Sequence, residues 1–175
     1  FDSKKIKKNY IFFAIKGTKF DGNNFIENAI KNGARIIITN KFKTGIINGV
    51  VYIKVSDTRL ALSSFLSKFY NKKPNNIIGV TGTNGKSSIA NFYYQILKLN
   101  KKKVASIGTL GVKSDTINLK LDNTTADIIT TNKLLFKLKS KKIENVILEA
   151  SSHGLEQKRL HGINFNTSIF TNLSR

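Results

Sequence analysis

Gly82-Thr83-Asn84-Gly85-Lys86-Ser87 is the segment whose residue types and spacing most directly define a chemistry, the holding of phosphate groups. A phosphate cradle needs backbone amides turned inward, with dihedral angles and close approaches that a β-carbon obstructs, and glycine at 82 and 85 meets that need. Lys86 would bring an ammonium to the outer phosphates and Ser87 a hydroxyl to Mg2+. A helix starting at Lys86 would direct its positive dipole end at the anion. Thr83, Asn84 and Ser88 complete the expected contacts. The pattern G-x-x-x-x-G-K-[ST] is met imperfectly, because Val80 stands five residues before Gly85. Context supplies what the pattern lacks: an apolar strand precedes the loop and an amphipathic helix follows it.

Two further groups could take part. Glu149 ends a run of strand type, at the edge where parallel sheets place their ligands, and a carboxylate is a hard oxygen donor suited to Mg2+. Asn123, Thr124 and Thr125 offer amide and hydroxyl groups just before a helical pattern, where an ordinary turn and N-cap would account for them equally well. His153 has no partner arrangement for nucleophilic catalysis nearby, and Ser151-Ser152 lacks the Gly-x-Ser-x-Gly elbow, so a buried histidine shaping its loop is expected there. His161 carries no expected role.

The elements that must position these groups follow from hydrophobic periodicity. In the first part, residues 10–15 read as a strand, 25–32 as a helix, and 35–39 and 50–55 as strands separated by a turn region at 45–49. A helix capped by Ser56 or Asp57 has Leu60, Leu62, Phe65, Leu66 and Phe69 on one side and ends near Tyr70. The polar stretch 71–76 holds the only proline and marks a domain boundary, dividing the chain into 1–73 and 74–175. Beyond it come a strand (77–81), the glycine loop, and a helix over 86–99 with Ile89, Phe92, Tyr93, Ile96 and Leu97 inward. A strand (104–107), a helix (128–138) and strands at 145–149 and 168–171 complete the pattern. This alternation predicts an α/β fold with a parallel sheet covered by helices.

Composition narrows the class. At 175 residues with 40% hydrophobic content, the chain can build one ordinary core or two small ones. No apolar run reaches the roughly 18 to 20 residues that span a bilayer, and no secretory leader pattern opens the sequence, so a cytoplasmic location without membrane association is expected. Lack of cysteine removes disulfides and thiolate metal sites. The net charge of +20 would suit a nucleic acid, but its lysines are spread as short runs at expected element ends, so solvated surface is the reading and no nucleic-acid partner is expected. Methionine is absent, which leads to the expectation that the sequence is part of a longer chain.

Taken together, GVTGTNGKSS, DNTTAD, LEASSHGLEQKR and the final FTNLSR resemble the Mur ligases, and among them the MurE type. The likeness runs over essentially the whole chain, including Asp2-Ser3-Lys4, residues 13–17, and Asp21-Gly22 followed by Phe25. The resemblance implies a small N-terminal α/β uridine-binding domain followed by a P-loop-type ATP-binding domain, incomplete here. It implies an ATP-dependent amide-bond ligase of peptidoglycan synthesis. Such an enzyme adds meso-diaminopimelate or L-lysine to UDP-N-acetylmuramoyl-L-alanyl-D-glutamate through an acyl phosphate, with ATP and Mg2+ as cofactors. By the same resemblance Lys86 and Glu149 are catalytic, and Ser87 with Glu149 holds the metal. Ser3, Thr18, Lys19, Phe20, Asn123, Thr124, Thr125, Ser151, Gln157 and Arg159 then contact the UDP-muramoyl peptide.

Some positions depart from the family pattern. Lys4 replaces a usual arginine and gives up its bidentate fork; Lys8-Asn9 replaces Pro-Gly, and Ala126 replaces a frequent proline. The family's second metal site and amino-acid-binding domain lie beyond these residues, so the 175 residues alone are expected not to ligate, and a monomer is favoured. The alternatives are a MurF-type ligase and a non-catalytic nucleotide-binding module.

Overall fold

A computed structural model describes residues 3–17 and 20–174, and these fall into two compact units, Phe1–Phe65 and Leu66–Arg175. In the first unit a 3-10 turn, Ser3–Lys5, precedes β1 (Tyr10–Phe13). A second 3-10 turn, Gly22–Phe25, leads into α1 (Ile26–Lys31), followed by β2 (Ala34–Thr39), β3 (Gly45–Ile47) and β4 (Val50–Lys54). The sheet order is β1-β2-β4-β3, with β1, β2 and β4 parallel and β3 antiparallel at the edge. Phe12, Ile37 and Tyr52 lie on paired rungs and bury together with Ile26 and Ala29 of α1. The turn region expected at 45–49 is partly strand, a three-residue edge strand whose side chains are all exposed, so no alternating pattern marked it.

Asp21 starts the Gly22–Phe25 turn by accepting from the Asn23 amide at 2.9 Å, and Lys41 lies 3.0 Å from its other oxygen. The Asn23 backbone bond, followed by the Lys41 and Asn23 side chains, pulls its pKa from an ordinary 3.8 to about 2. Because the folded value is depressed, the charge contributes stability in full above the unfolded value, and that contribution fades as pH falls from about 4 to about 2. Asn at 21 can still cap but cannot titrate. Thermal melts by circular dichroism should therefore show wild type above Asp21→Asn at pH 5, with the gap closing toward pH 2; a gap that does not change with pH would contradict this.

α2 (Thr58–Phe69) contains the division between the units and is capped by Asp57, which accepts from the amides of Arg59 and Leu60. Its buried side chains include Leu62 and Leu66, whereas Phe65 and Phe69 are exposed.

The second unit contains β5 (Asn76–Thr81), α3 (Lys86–Leu99), β6 (Val104–Gly108), β7 (Gly111–Lys113) and β8 (Asn118–Leu119). It continues with α4 (Ile128–Ser140), β9 (Asn145–Glu149), α5 (Ser152–Glu156) and β10 (Thr167–Phe170). Strand order is β10-β5-β9-β6-β7-β8: four parallel strands, then an antiparallel pair. The near-continuous apolar runs of β5 and β9 are those of strands covered on both faces. α4 packs Ile128, Thr131, Leu134, Leu135 and Leu138 inward, a helical repeat. Its N-cap is Asp127, which accepts from the amides of Ile129 and Thr130; the residues 123–125 that could have capped it do not.

α3 corrects one expectation. Its buried residues are Ala90 and Tyr94, with Ile89 and Tyr93 partly covered, while Phe92 and Ile96 are 59% and 57% exposed. Ala90 packs on Val80 and Ile147. A small side chain at the contact lets the helix approach the sheet closely, and this turns the bulkier apolar residues at 92 and 96 outward. Among the described residues no helix is long and apolar enough to cross a membrane.

Candidate active site

The phosphate-type loop joins the end of β5 to α3. Gly85 immediately precedes the helix with φ 82°, and no side chain caps α3, so its first amides are left for a ligand. Gly82 has φ 133°, and a β-carbon there would collide with the Thr171 hydroxyl. The loop is buttressed by the segment that follows β10. The Thr83 amide donates to the Asn172 carbonyl at 2.9 Å and the Asn84 amide to Asn172 Oδ1 at 3.1 Å. Thr171 Oγ1 donates to the Asn84 carbonyl at 2.6 Å, and the Ser174 amide to Thr83 Oγ1 at 3.1 Å. The Lys86 ammonium sits on this loop, donating to the carbonyls of Gly82 (2.6 Å) and Thr83 (3.0 Å). Ser88 is exposed in the first turn of α3.

Beside Lys86, Ser87 reaches the end of β9. Its hydroxyl donates to Glu149 Oε2 at 2.9 Å, and Glu149 is only 2% exposed. Thr109, in the turn between β6 and β7, supplies both its hydroxyl, at 3.0 Å from Oε2, and its amide, at 3.2 Å from Oε1. Gly108 leaves the room this needs, since a β-carbon there would strike the carboxylate. Every described hydrogen-bond partner of Glu149's carboxylate is a neutral donor. A buried carboxylate held without a cation is costly unless one arrives. Among the described residues no group of three or more His, Cys, Asp or Glu gathers. The side-chain oxygens of Ser87, Thr109 and Glu149 form a hard donor set of the kind that would fit Mg2+.

The same network extends to the substrate-type residues. The Thr109 proton goes to Glu149, so Thr124 donates to Thr109 across 3.0 Å. Thr125, 1% exposed, donates to the Glu149 carbonyl at 3.0 Å and accepts from the Ser151 amide at 2.9 Å. Ser151 N-caps α5 and touches Thr125 Oγ1 at 3.0 Å. Arg159 donates from NH1 to the Thr125 carbonyl at 2.7 Å, while its Nε and NH2 grip Gln157 Oε1 at 3.1 and 2.9 Å.

The structure thus brings together Gly82, Thr83, Asn84, Gly85, Lys86, Ser87, Thr124, Thr125, Glu149, Ser151, Gln157 and Arg159, with Asn123 exposed nearby in sequence. Ser3 and Phe20 belong to the first unit: Ser3 is buried and its carbonyl accepts from Asn32 at 2.8 Å, and Phe20 is 70% exposed, edge-on to Phe25. Thr18 and Lys19 lie outside the described residues. His153 is exposed rather than buried, because α5 turns its neighbour Gly154 inward against Thr125 instead. Thr109 is not among the residues expected from the sequence; the signal available is a hydroxyl beside a glycine-flanked turn closing a strand.

A phosphate-type loop leading into a helix, an acidic residue at the end of the neighbouring parallel strand and an alternating α/β order define a P-loop-type α/β protein. The chain belongs to the Mur ligase family: the family model for the Mur ligase middle domain matches residues 80–175, and that for the Mur ligase family catalytic domain matches residues 1–70. It is 44% identical over 178 residues to a Rickettsia montanensis protein named UDP-N-acetylmuramoyl-L-alanyl-D-glutamate–2,6-diaminopimelate ligase, covering 99% of this chain and 37% of that one. It is 38% identical over 176 residues to UDP-N-acetylmuramyl-tripeptide synthetase 2 of Oceanobacillus iheyensis, covering 99% and 36%. A solved UDP-N-acetylmuramoyl-L-alanyl-D-glutamate–2,6-diaminopimelate ligase superposes with TM-score 0.81 at 32% identity, over 99% of this chain and 36% of that one. A MurF ligase of Thermotoga maritima in complex with ADP, at TM-score 0.58 and 22% identity, shares the fold. The chain therefore spans a little over a third of the length of these relatives.

Proposed function

We propose that the chain serves a MurE-type ligase: ATP-dependent formation of the amide bond that adds the third amino acid to UDP-N-acetylmuramoyl-L-alanyl-D-glutamate, in the cytoplasm. The names of the 44% and 32% identical relatives favour 2,6-diaminopimelate over lysine as that amino acid. The observation that carries the reading is one hydrogen-bonded network running from Ser87, the residue after the loop lysine Lys86, through Glu149 and Thr109 to Thr125, Ser151 and Arg159. A phosphate-holding end and a carboxylate-recognising end meet there, as transfer of a phosphoryl group to a carboxylate requires.

In this reading the free α-amides of α3 and the Lys86 ammonium orient the triphosphate and offset charge spreading onto the transferred group. Ser87 and Glu149 hold Mg2+, which when bound neutralises phosphate oxygens. Arg159, already fixed on Thr125 and Gln157, orients the acidic peptide, whose phosphorylated carboxylate is then open to an incoming amine. No covalent enzyme intermediate is needed. The domain division at 73/74 belongs to the proposal, and the gap between the two family matches, from 71 to 79, supports it. Ser3, Thr18, Lys19 and Phe20 are proposed to contact the uridine end.

Calorimetric titration of UDP-N-acetylmuramoyl-L-alanyl-D-glutamate into the chain, with Mg2+ and a non-hydrolysable ATP analogue present, tests this. Saturable heat that falls at least ~10-fold in affinity for Arg159→Ala is expected. Equal heats from UDP-N-acetylglucosamine would count against the reading.

A further inference from the structure

The phosphate-type loop occupies one end of β5; a second recess opens at the other, about 17 Å away along the strand. This hollow, of about 370 Å3, is lined on its polar side by Ser67, Asn71, Lys73, Asn75, Asn164 and Asn166. Its size is at the lower end of small-ligand sites.

We propose that this hollow binds a phosphate-bearing ligand through the Lys73 ammonium and the side-chain amide groups of Asn75 and Asn166. The argument rests on which atoms the protein has already used. Asn166 Oδ1 accepts from the Ile77 amide at 2.8 Å, and Asn75 Oδ1 accepts from the Lys139 ammonium at 3.0 Å. Each oxygen thus accepts one bond, while neither NH2 group has a hydrogen-bond partner among the described residues, so the donor pair is the larger part of what each amide has left to offer. The charges divide the same way. Lys139 is neutralised by Glu144, 2.7 Å away, and that carboxylate also accepts from the backbone N–H of Asn75 at 3.1 Å. Lys73 has the neutral Gly162 carbonyl at 3.1 Å as its described hydrogen-bond partner, and no carboxylate pairs with it among the described residues. Burial lowers its pKa below that of an ordinary lysine. A cation and two amide donors lining one hollow, each amide oxygen already accepting a bond from elsewhere, suit a group with several acceptor oxygens and negative charge, which is the chemistry of a phosphate. Free phosphate compounds and phospholipid head groups share it.

The experiment is a 15N–1H titration of the chain with inorganic phosphate at low ionic strength. The amides of Asn75, Gly162 and Asn164 are expected to shift with saturation in the millimolar range, on the order of 1 mM. Lys73→Gln should weaken this at least ~10-fold. Asn166→Asp keeps the oxygen that accepts from Ile77 while replacing the donors by a charged oxygen, and should abolish it; a wild-type melting profile for either variant excludes misfolding as the cause. Co-sedimentation with vesicles of phosphatidylcholine and phosphatidylglycerol forms the second arm. Vesicle binding lost in both variants, without a free-phosphate response, assigns the site to a head group. A phosphate response with variant-independent vesicle behaviour assigns it to a free ligand. Absence of both responses, or responses that both variants retain, overturns the proposal.

Discussion

Lys86→Ala is expected to weaken ATP binding about 10- to 100-fold while leaving the melting temperature within a few degrees of wild type. The binding loss follows from removing a charge-assisted hydrogen bond to a phosphate, worth about 1.5 to 3 kcal/mol. The small stability effect follows from what the ammonium touches. Its partners are the carbonyls of Gly82 and Thr83, in a partly exposed loop where water can replace it. The loop's shape comes instead from Thr171, Asn172 and Ser174, which bond to Thr83 and Asn84 and remain in the variant. Calorimetry with ATP and Mg2+, paired with thermal melts, separates the two quantities. Lys86→Arg should not restore affinity, since a planar fork replaces a compact point charge. Unchanged ATP affinity in Lys86→Ala would remove the phosphate role of this residue.

How much of this site could be read in the sequence depends on how local its causes are. The helix over 86–99 has the bounds that its glycine loop and period implied, because both signals lie within the segment. Glu149 does end a strand, and Ser87 does meet it, although 62 residues separate them. That meeting required the parallel pairing of β5 with β9, which apolar runs of strand length predict in kind. Thr109 was not legible, since its role depends on a two-residue turn between β6 and the three-residue β7, too short to leave a pattern. Nor was the buttress at 171–174, whose bonds to the loop span about ninety residues and involve ordinary polar side chains. The inner face of α3 departs from the apolar pattern for an opposite reason: bulky residues dominate that pattern, whereas the smallness of Ala90 decides which side meets the sheet. Ser151 and Asp127 show a related ambiguity, in that a capping residue and a ligand residue have the same composition, and only the fold separates them.

Glu149→Gln is expected to abolish the Mg2+ dependence of ATP binding while the apo chain melts at the wild-type temperature or a few degrees higher. The carboxylate is 2% exposed and is held by the Ser87 hydroxyl and the Thr109 hydroxyl and amide, with no cation among these partners. Keeping an ionised group there costs desolvation that neutral donors only partly offset. Glutamine has the same shape. Its oxygen can accept from Thr109 and its NH2 can donate to Ser87 Oγ, so the variant removes charge without leaving a cavity. Glu149→Ala, by contrast, empties the space beside Gly108 and strands the Thr109 amide, and should cost about 2 kcal/mol. The two variants divide the possible roles. If Glu149 is there to hold the fold, both lose stability and Mg2+ still tightens ATP binding in Glu149→Gln. If it is there to complete a cation site, Glu149→Gln leaves stability intact, and titrations with and without Mg2+ give the same ATP affinity, lower than wild type with Mg2+ by ~10-fold or more. A buried carboxylate whose described hydrogen-bond partners are all neutral favours the second outcome, a group whose cost to the fold is tolerated because function requires it.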